Sequence, residues 1–127
     1  MAKKFLFTIS HAGSSPMEAI GILKIASNIK AFEDDAEIVV FLLGEGVQLA
    51  KKGLAGTISM ELEGAVANVG DLIEMGVELG IKFYVCHAFM PGFGVGGEDL
   101  IEGAAAKSSS YLGELLVEGY TPFSLSI

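Results

Sequence analysis

The chain has a single cysteine, Cys86, among 127 residues. One thiol excludes an internal disulfide, and with it the class of small secreted folds stapled by cystines; a reducing, cytoplasmic location is the expectation. Basic residues are scarce: eight Lys and Arg stand against sixteen Asp and Glu, for a net charge of −8. No basic run is present and aromatics make up only 9% of residues, so the electrostatic footprint of a nucleic-acid binder is missing. Long hydrophobic runs are missing too. The apolar stretch 38–43 is closed by Glu37 and Glu45, far short of the roughly 20 residues of a membrane span. Residues 5–9 behind Lys3 and Lys4 are too short for the core of a signal peptide, so none is expected.

What is present is apolar. Hydrophobic residues make up 51% of the chain and the mean hydropathy is +0.55, high for a lone soluble domain. With no span to account for it, the surplus predicts apolar surface buried between subunits of a homo-oligomer. The length fits one domain over 1–127.

Short β-rich runs alternate with stretches of helical spacing. Strands are predicted at 4–10, 37–43, 82–86, 101–106 and 120–125. A helix opens at Ser15, Pro16 and Glu18, with the spacing of a capping box, and carries Ile22, Ile25, Ala26 and Ile29 on one face. A short helix follows Gly44-Glu45-Gly46 and ends near Lys52. Residues 53–67 read as an irregular connection with a little helix. Asn68 caps the next helix, whose stripe is Val69, Leu72, Ile73, Gly76 and Leu79, and Gly80 stops it. Residues 87–95 form a short turn or helix. A last helix, capped from 108–110, carries Leu112, Leu115 and Leu116 and ends at Gly119. Strands separated by helices predict an α/β fold, a three-layer α/β/α domain with a five-stranded parallel sheet, flavodoxin-like in outline.

In such sheets chemistry collects at the carboxyl ends of the strands. That edge is predicted to hold His11 with the small loop 12–15, then Glu45, then Cys86 and His87 with the glycine-rich run 91–97. Cys86 has two readings. It is a core filler, as free cysteines commonly are. Or it is a reactive thiol, since it ends its strand, is followed by a histidine, and precedes a segment whose helical start would stabilise an anion. His11 and His87 are either site residues or polar loop residues with ordinary hydrogen bonds. No close-spaced ligand pair is present, so no metal site is expected. The loop 11–16 could cradle a phosphate or a flavin, but carries neither GxGxxG nor GxxxxGK[ST]. No cofactor is expected. The acidic pairs and triplets at 33–35 and 98–99 read as solvated turns.

The stretch 71–86, DLIEMGVELGIKFYVC, resembles the DsrE/DsrF-like family, in which a helix closing on Gly-Val or Gly-Ile feeds a strand that terminates in cysteine. Residues 90–95 resemble the family's Ser-Met-x-x-x-Gly-Ile piece, with Gly94 at its glycine, and residues 98–103 resemble its xDLIxG segment. The resemblance spans most of the chain and is strongest over 68–103. It implies the three-layer fold, assembly as a homotrimer, a hexamer or part of a mixed complex, and a role in sulfur relay. Cys86 stands at the family's sulfur-bearing position, so the implied function is a cytoplasmic, sulfurtransferase-like carrier. It would take sulfane sulfur from a donor protein as a persulfide on Cys86 and hand it to an acceptor cysteine. His87, His11, Glu45 and Gly94 are the candidate supporting residues. His87-Ala88-Phe89 departs from the small polar residues usual after that cysteine. The alternative is a non-catalytic oligomeric binding module, with nucleotide or flavin at the loop after strand one and Cys86 as packing.

Overall fold

In the computed structural model, which describes residues 2–125, five parallel strands form one sheet. In chain order the elements are β1 (Lys4–Ile9), α1 (Pro16–Phe32), β2 (Glu37–Leu42), β3 (Ser59–Leu62), β4 (Ala65–Asn68), α2 (Val69–Glu78), β5 (Lys82–Cys86), β6 (Ala104–Lys107), α3 (Ser110–Val117) and β7 (Thr121–Phe123). The sheet order is β6-β5-β2-β1-β7, every pair parallel. β2 sits at the centre and is buried from Ile38 onward, which is why it reads as an unbroken apolar run rather than an alternating one.

Chirality decides where the helices go. The chain steps from β1 to β2 to β5 to β6 in one direction, then returns past β1 to add β7 on its far side. Right-handed crossovers therefore put α1 and α2 on one face and force α3, on the return path, onto the other. The order also departs from flavodoxin's, in which the second strand lies outside the first.

The α1/α2 face is thickly covered. Phe7, Ile9, Val40, Leu42, Phe83 and Val85 point into it and meet Ile20, Leu23, Ala26, Leu72 and Ile73, all buried. Pro16 starts α1, but the capping box does not form: the Glu18 side chain turns back onto the exit of β1. Asn68 caps α2 as predicted, its Oδ1 accepting from the Asp71 amide at 3.0 Å. Gly76 lets Phe83 approach so closely that an added Cβ would lie 3.1 Å from the ring. Leu79, expected in the buried stripe, lies past the end of α2 and is exposed.

Residues 53–67 differ from the sequence expectation in kind, while residues 87–95 take the turn, one of the two readings given for them. Residues 53–67 hold one 3-10 turn, Ala55–Thr57, and then an antiparallel hairpin, β3 with β4. Its two turn residues, Glu63 and Gly64, both have positive φ, 51° and 80°, the mark of a two-residue hairpin whose twist matches its strands. Residues 87–95 contain no α-helix, only the 3-10 turns His87–Phe89 and Pro91–Phe93, with Met90 and Val95 buried beneath them. The fourth sheet strand begins at Ala104 rather than 101, because the Ile101 amide is given to the Ala50 carbonyl (2.8 Å).

The opposite face is thin. Leu6, Val39, Phe41 and Cys86 are covered by α3, in which Leu115 is the buried residue. Tyr84, Tyr111, Leu112 and Tyr120 complete this smaller cluster. Leu116, named with Leu112 and Leu115 from the sequence, faces away and is exposed.

Candidate functional site

Cys86 is the last residue of β5, at the carboxyl edge of the sheet. Alternation along the strand sends Phe83 and Val85 to the α1/α2 side, and Tyr84 and Cys86 to the α3 side. Cys86 is 0% exposed, among Leu6, Val39, Phe41 and Leu115. Among the described residues its sulfur has no hydrogen-bond partner; the cluster around it is hydrocarbon and aromatic, and Lys107 of β6 is its register partner across the ladder. The following residue, His87, is exposed and opens a 3-10 turn of three residues. The expected helical start beyond Cys86 is therefore absent, and with it the aligned amides that would favour an anion.

The loop after β1 is a separate polar cluster built around two carboxylates. Glu18, buried in the first turn of α1, accepts from the Ser10 amide (3.0 Å), the His11 amide (2.8 Å) and the Ser10 hydroxyl (3.1 Å). His11 Nδ1 lies 3.3 Å from the same carboxylate. Glu45, from the 3-10 segment Gly44–Ala50 after β2, accepts from the Ala12 amide (2.6 Å) and the Ser14 hydroxyl. Those two hydrogen bonds, the hydroxyl first, hold the Glu45 carboxyl below its usual range. Gly46, the next residue, has no room for a side chain: its Cβ would lie 2.3 Å from the Ile9 carbonyl oxygen. The amides that a phosphate would need at this loop thus already point at carboxylates, and a second anion would meet two negative charges. This geometry disfavours a phosphate or flavin cradle at 11–16.

Gly94 takes a left-handed conformation (φ 71°) after the second 3-10 turn, and its carbonyl accepts from Lys51 Nζ at 2.9 Å. It shapes the crossover between β5 and β6. Of the residues predicted for the site, the structure joins His11 and Glu45 through one loop, while Cys86 belongs to the cluster under α3. Glu18, read from sequence as a cap, is the residue that organises the His11 loop; nothing in a Ser-x-x-Glu pattern distinguishes the two uses.

A groove of about 890 Å³ lies elsewhere, between α2 and the residues after the Gly44–Ala50 segment. Its floor includes Leu49, Ile73, Val77 and Ile101, and its rim includes Asp71, Glu74 and Glu102. None of the candidate site residues lines it.

The chain matches the DsrE/DsrF-like family over residues 3–124. It belongs to that family. No curated protein matches this DsrE-family chain. Among solved structures it is similar to the ychN protein from E. coli, with a TM-score of 0.78, 16% identity, and 95% of this chain and 99% of that chain covered. It is similar also to MTH1491, a protein of unknown function from Methanobacterium thermoautotrophicum, with a TM-score of 0.75, 18% identity and coverage of 95% and 97%. At such identities the likeness carries the DsrE-type fold and stops there.

Proposed function

We propose that this DsrE-family chain is a cytoplasmic sulfur carrier that holds sulfane sulfur as a persulfide on Cys86. The observation that carries the reading is that the chain's only cysteine closes β5 at the carboxyl edge of the sheet, in a chain matched by the family from residue 3 to 124. The Cys86 thiolate attacks the outer sulfur of a donor persulfide; the donor's S–S bond breaks and the donor leaves as a thiolate. Cys86 then carries the terminal sulfur, and an acceptor thiolate removes it, returning Cys86 to a thiolate. Sulfur moves intact with its oxidation state, so no second cysteine in the chain and no redox cofactor is required.

The burial of Cys86 sets a condition on this chemistry: the sulfur is reached when α3 moves. α3 is eight residues long, below the length at which a helix is stable by itself in water, and Leu115 is its one buried residue among those described. Such an element opens at low cost relative to the rest of the fold. The exposed apolar residues Leu116, Val117 and Phe123 support assembly as a homo-oligomer, trimer or hexamer, whose partner surfaces would cover them.

The test is incubation of native protein with a polysulfide or persulfide donor followed by intact mass. Sulfur addition to the wild type, and none to Cys86→Ala, is expected. Equal labelling of both, or of neither, removes the reading. One observation favours a second reading, a non-catalytic oligomeric module in which Cys86 is packing: its complete burial in an apolar cluster. That reading predicts a thiol inert to alkylation in the native state and a Cys86→Ser variant altered in stability alone.

A further inference from the structure

Cys86 and Lys107 face each other across the β5–β6 ladder. In a parallel pair, residues in register stand on the same side of the sheet, with their bases roughly 5 Å apart. The ring contacts agree. Lys107 Nζ lies 5.4 Å from the centroid of the Tyr84 ring and 4.7 Å from that of Tyr111. The two rings meet edge to face at 5.2 Å, and both pack against the cluster that contains Cys86.

Among the described residues Lys107 has no carboxylate partner; the ion pair found there is His11 with Glu18, on another part of the molecule. The half-buried ammonium rests on two aromatic faces instead. Burial, then the hydrogen bond with Tyr111, pushes the Tyr84 phenol up to about 12, so it gives the ammonium no negative charge at neutral pH. Of the charged groups on the elements packed here, Glu114 of α3 and Lys82 of β5 are exposed and make no ion pair among the described residues. β1 and β2 contribute Leu6, Val39 and Phe41; α3 contributes Tyr111, Leu112 and Leu115. His87 faces solvent at the start of the turn, and Tyr120 faces Glu37, its hydroxyl 3.5 Å from that carboxylate. A cation has been brought partly out of water on the face of the sheet that holds the chain's one thiol, with no carboxylate in ion-pair contact among the described residues.

We propose that Lys107 is the counter-ion of the sulfur on Cys86, its ammonium passing from the Tyr84 and Tyr111 rings to the thiolate before loading and to the persulfide anion after it. The lysine stem has the four rotatable bonds such a move needs, and a full anion attracts an ammonium more strongly than a ring face does. The two tyrosines hold the charge nearby between turnovers, which is their role in this account. The inference rests on the carrier reading above and adds the group that makes the sulfur an anion in an otherwise apolar site.

The experiment follows alkylation of native protein by iodoacetamide against pH, with Cys86→Ala as the blank. Lys107→Met keeps the stem and removes the charge; Lys107→Arg keeps both. Loss of a stabilising cation is expected to make alkylation of Lys107→Met about tenfold slower at pH 7. Lys107→Arg should restore most of the wild-type profile. If Lys107→Met does not fold, Lys107→Gln serves. Superimposed profiles for wild type and the uncharged variant overturn the proposal, and so does a wild-type thiol that never reacts. The carrier reading fails separately, in the sulfur mass shift: a lysine-dependent profile with no added sulfur leaves Lys107 as the counter-ion of a thiolate that does not carry sulfur.

Discussion

The two faces of the sheet are built to different standards. The α1/α2 face has two helices, a hairpin and a broad layer of buried aliphatic and aromatic side chains, including Phe7, Ile20, Leu23 and Phe83. The α3 face has one short helix held by Leu115 over a handful of residues. The first face carries no thiol, and no lysine is buried there among the described residues. The second carries Cys86, with Lys107 and the two tyrosines beside it. On the carrier reading proposed above, stability and chemistry are divided between the faces, which is the division expected where a reactive group must be shielded by an element able to move.

That comparison can be broken by truncating one residue on each face. Leu23→Ala, fully buried against α2 and the sheet, is expected to cost about 4 kcal/mol in denaturant unfolding. Leu115→Ala should cost less, about 2 kcal/mol, since the thin face can collapse around the gap. It should also raise the rate at which native Cys86 is alkylated, which Leu23→Ala does not do below its own unfolding transition. Equal costs and unchanged alkylation would show that α3 is no more mobile than α1. Hydrogen exchange sharpens the same point: amides of α3 should exchange well before those of α1 and β2.

A second pair of expectations concerns the polar loop. Glu18→Ala strands the Ser10 and His11 amides at the exit of β1, for a loss of about 2 kcal/mol with no change in Cys86 reactivity. Glu45 should matter least, being held in place near solvent. Its carboxyl is depressed below the ordinary 4.5. The stability it adds is therefore present above that value and is lost as pH falls through the lower, folded value. Glu45→Gln should remove a small acid-side slope in melting temperature below about pH 4.5, with little effect at pH 7; an unchanged slope would mean that Glu45 ionises alike in folded and unfolded chains.

Most of the sheet was legible because its signals are local. The unbroken run 38–42 marks a strand buried on both faces, Asn68 and Gly80 bracket α2 through cap chemistry, and Gly119 (φ 97°) ends the last helical turn. The hairpin over 59–68 was hidden because its strands are four residues long and their burial alternates weakly; the Glu63-Gly64 turn was the one available clue. Glu18 was misread because a carboxylate three residues into a helix can reach its own cap or a neighbouring strand, and only the position of β1 chooses. Leu79 was misread because the helix ends before the stripe does.

For the site, the residue type and the strand end were on the page from the start: Cys86 closes an alternating segment, and the topology brings that end to the carboxyl edge. Which face it joins, and what stands beside it, was not. A strand's period of two tells which side chains travel together, but not which side receives which helix; the direction of the return to β7 decided that α3 would cover Cys86. The pairing with Lys107 depends on register between segments more than twenty positions apart, and register is set by packing in three dimensions. Composition and local chemistry determined that this chain would be a parallel α/β domain with one thiol at a strand end. Only the tertiary structure decided that the thiol would be sealed, and that a lysine held on two tyrosine rings would stand across the ladder from it.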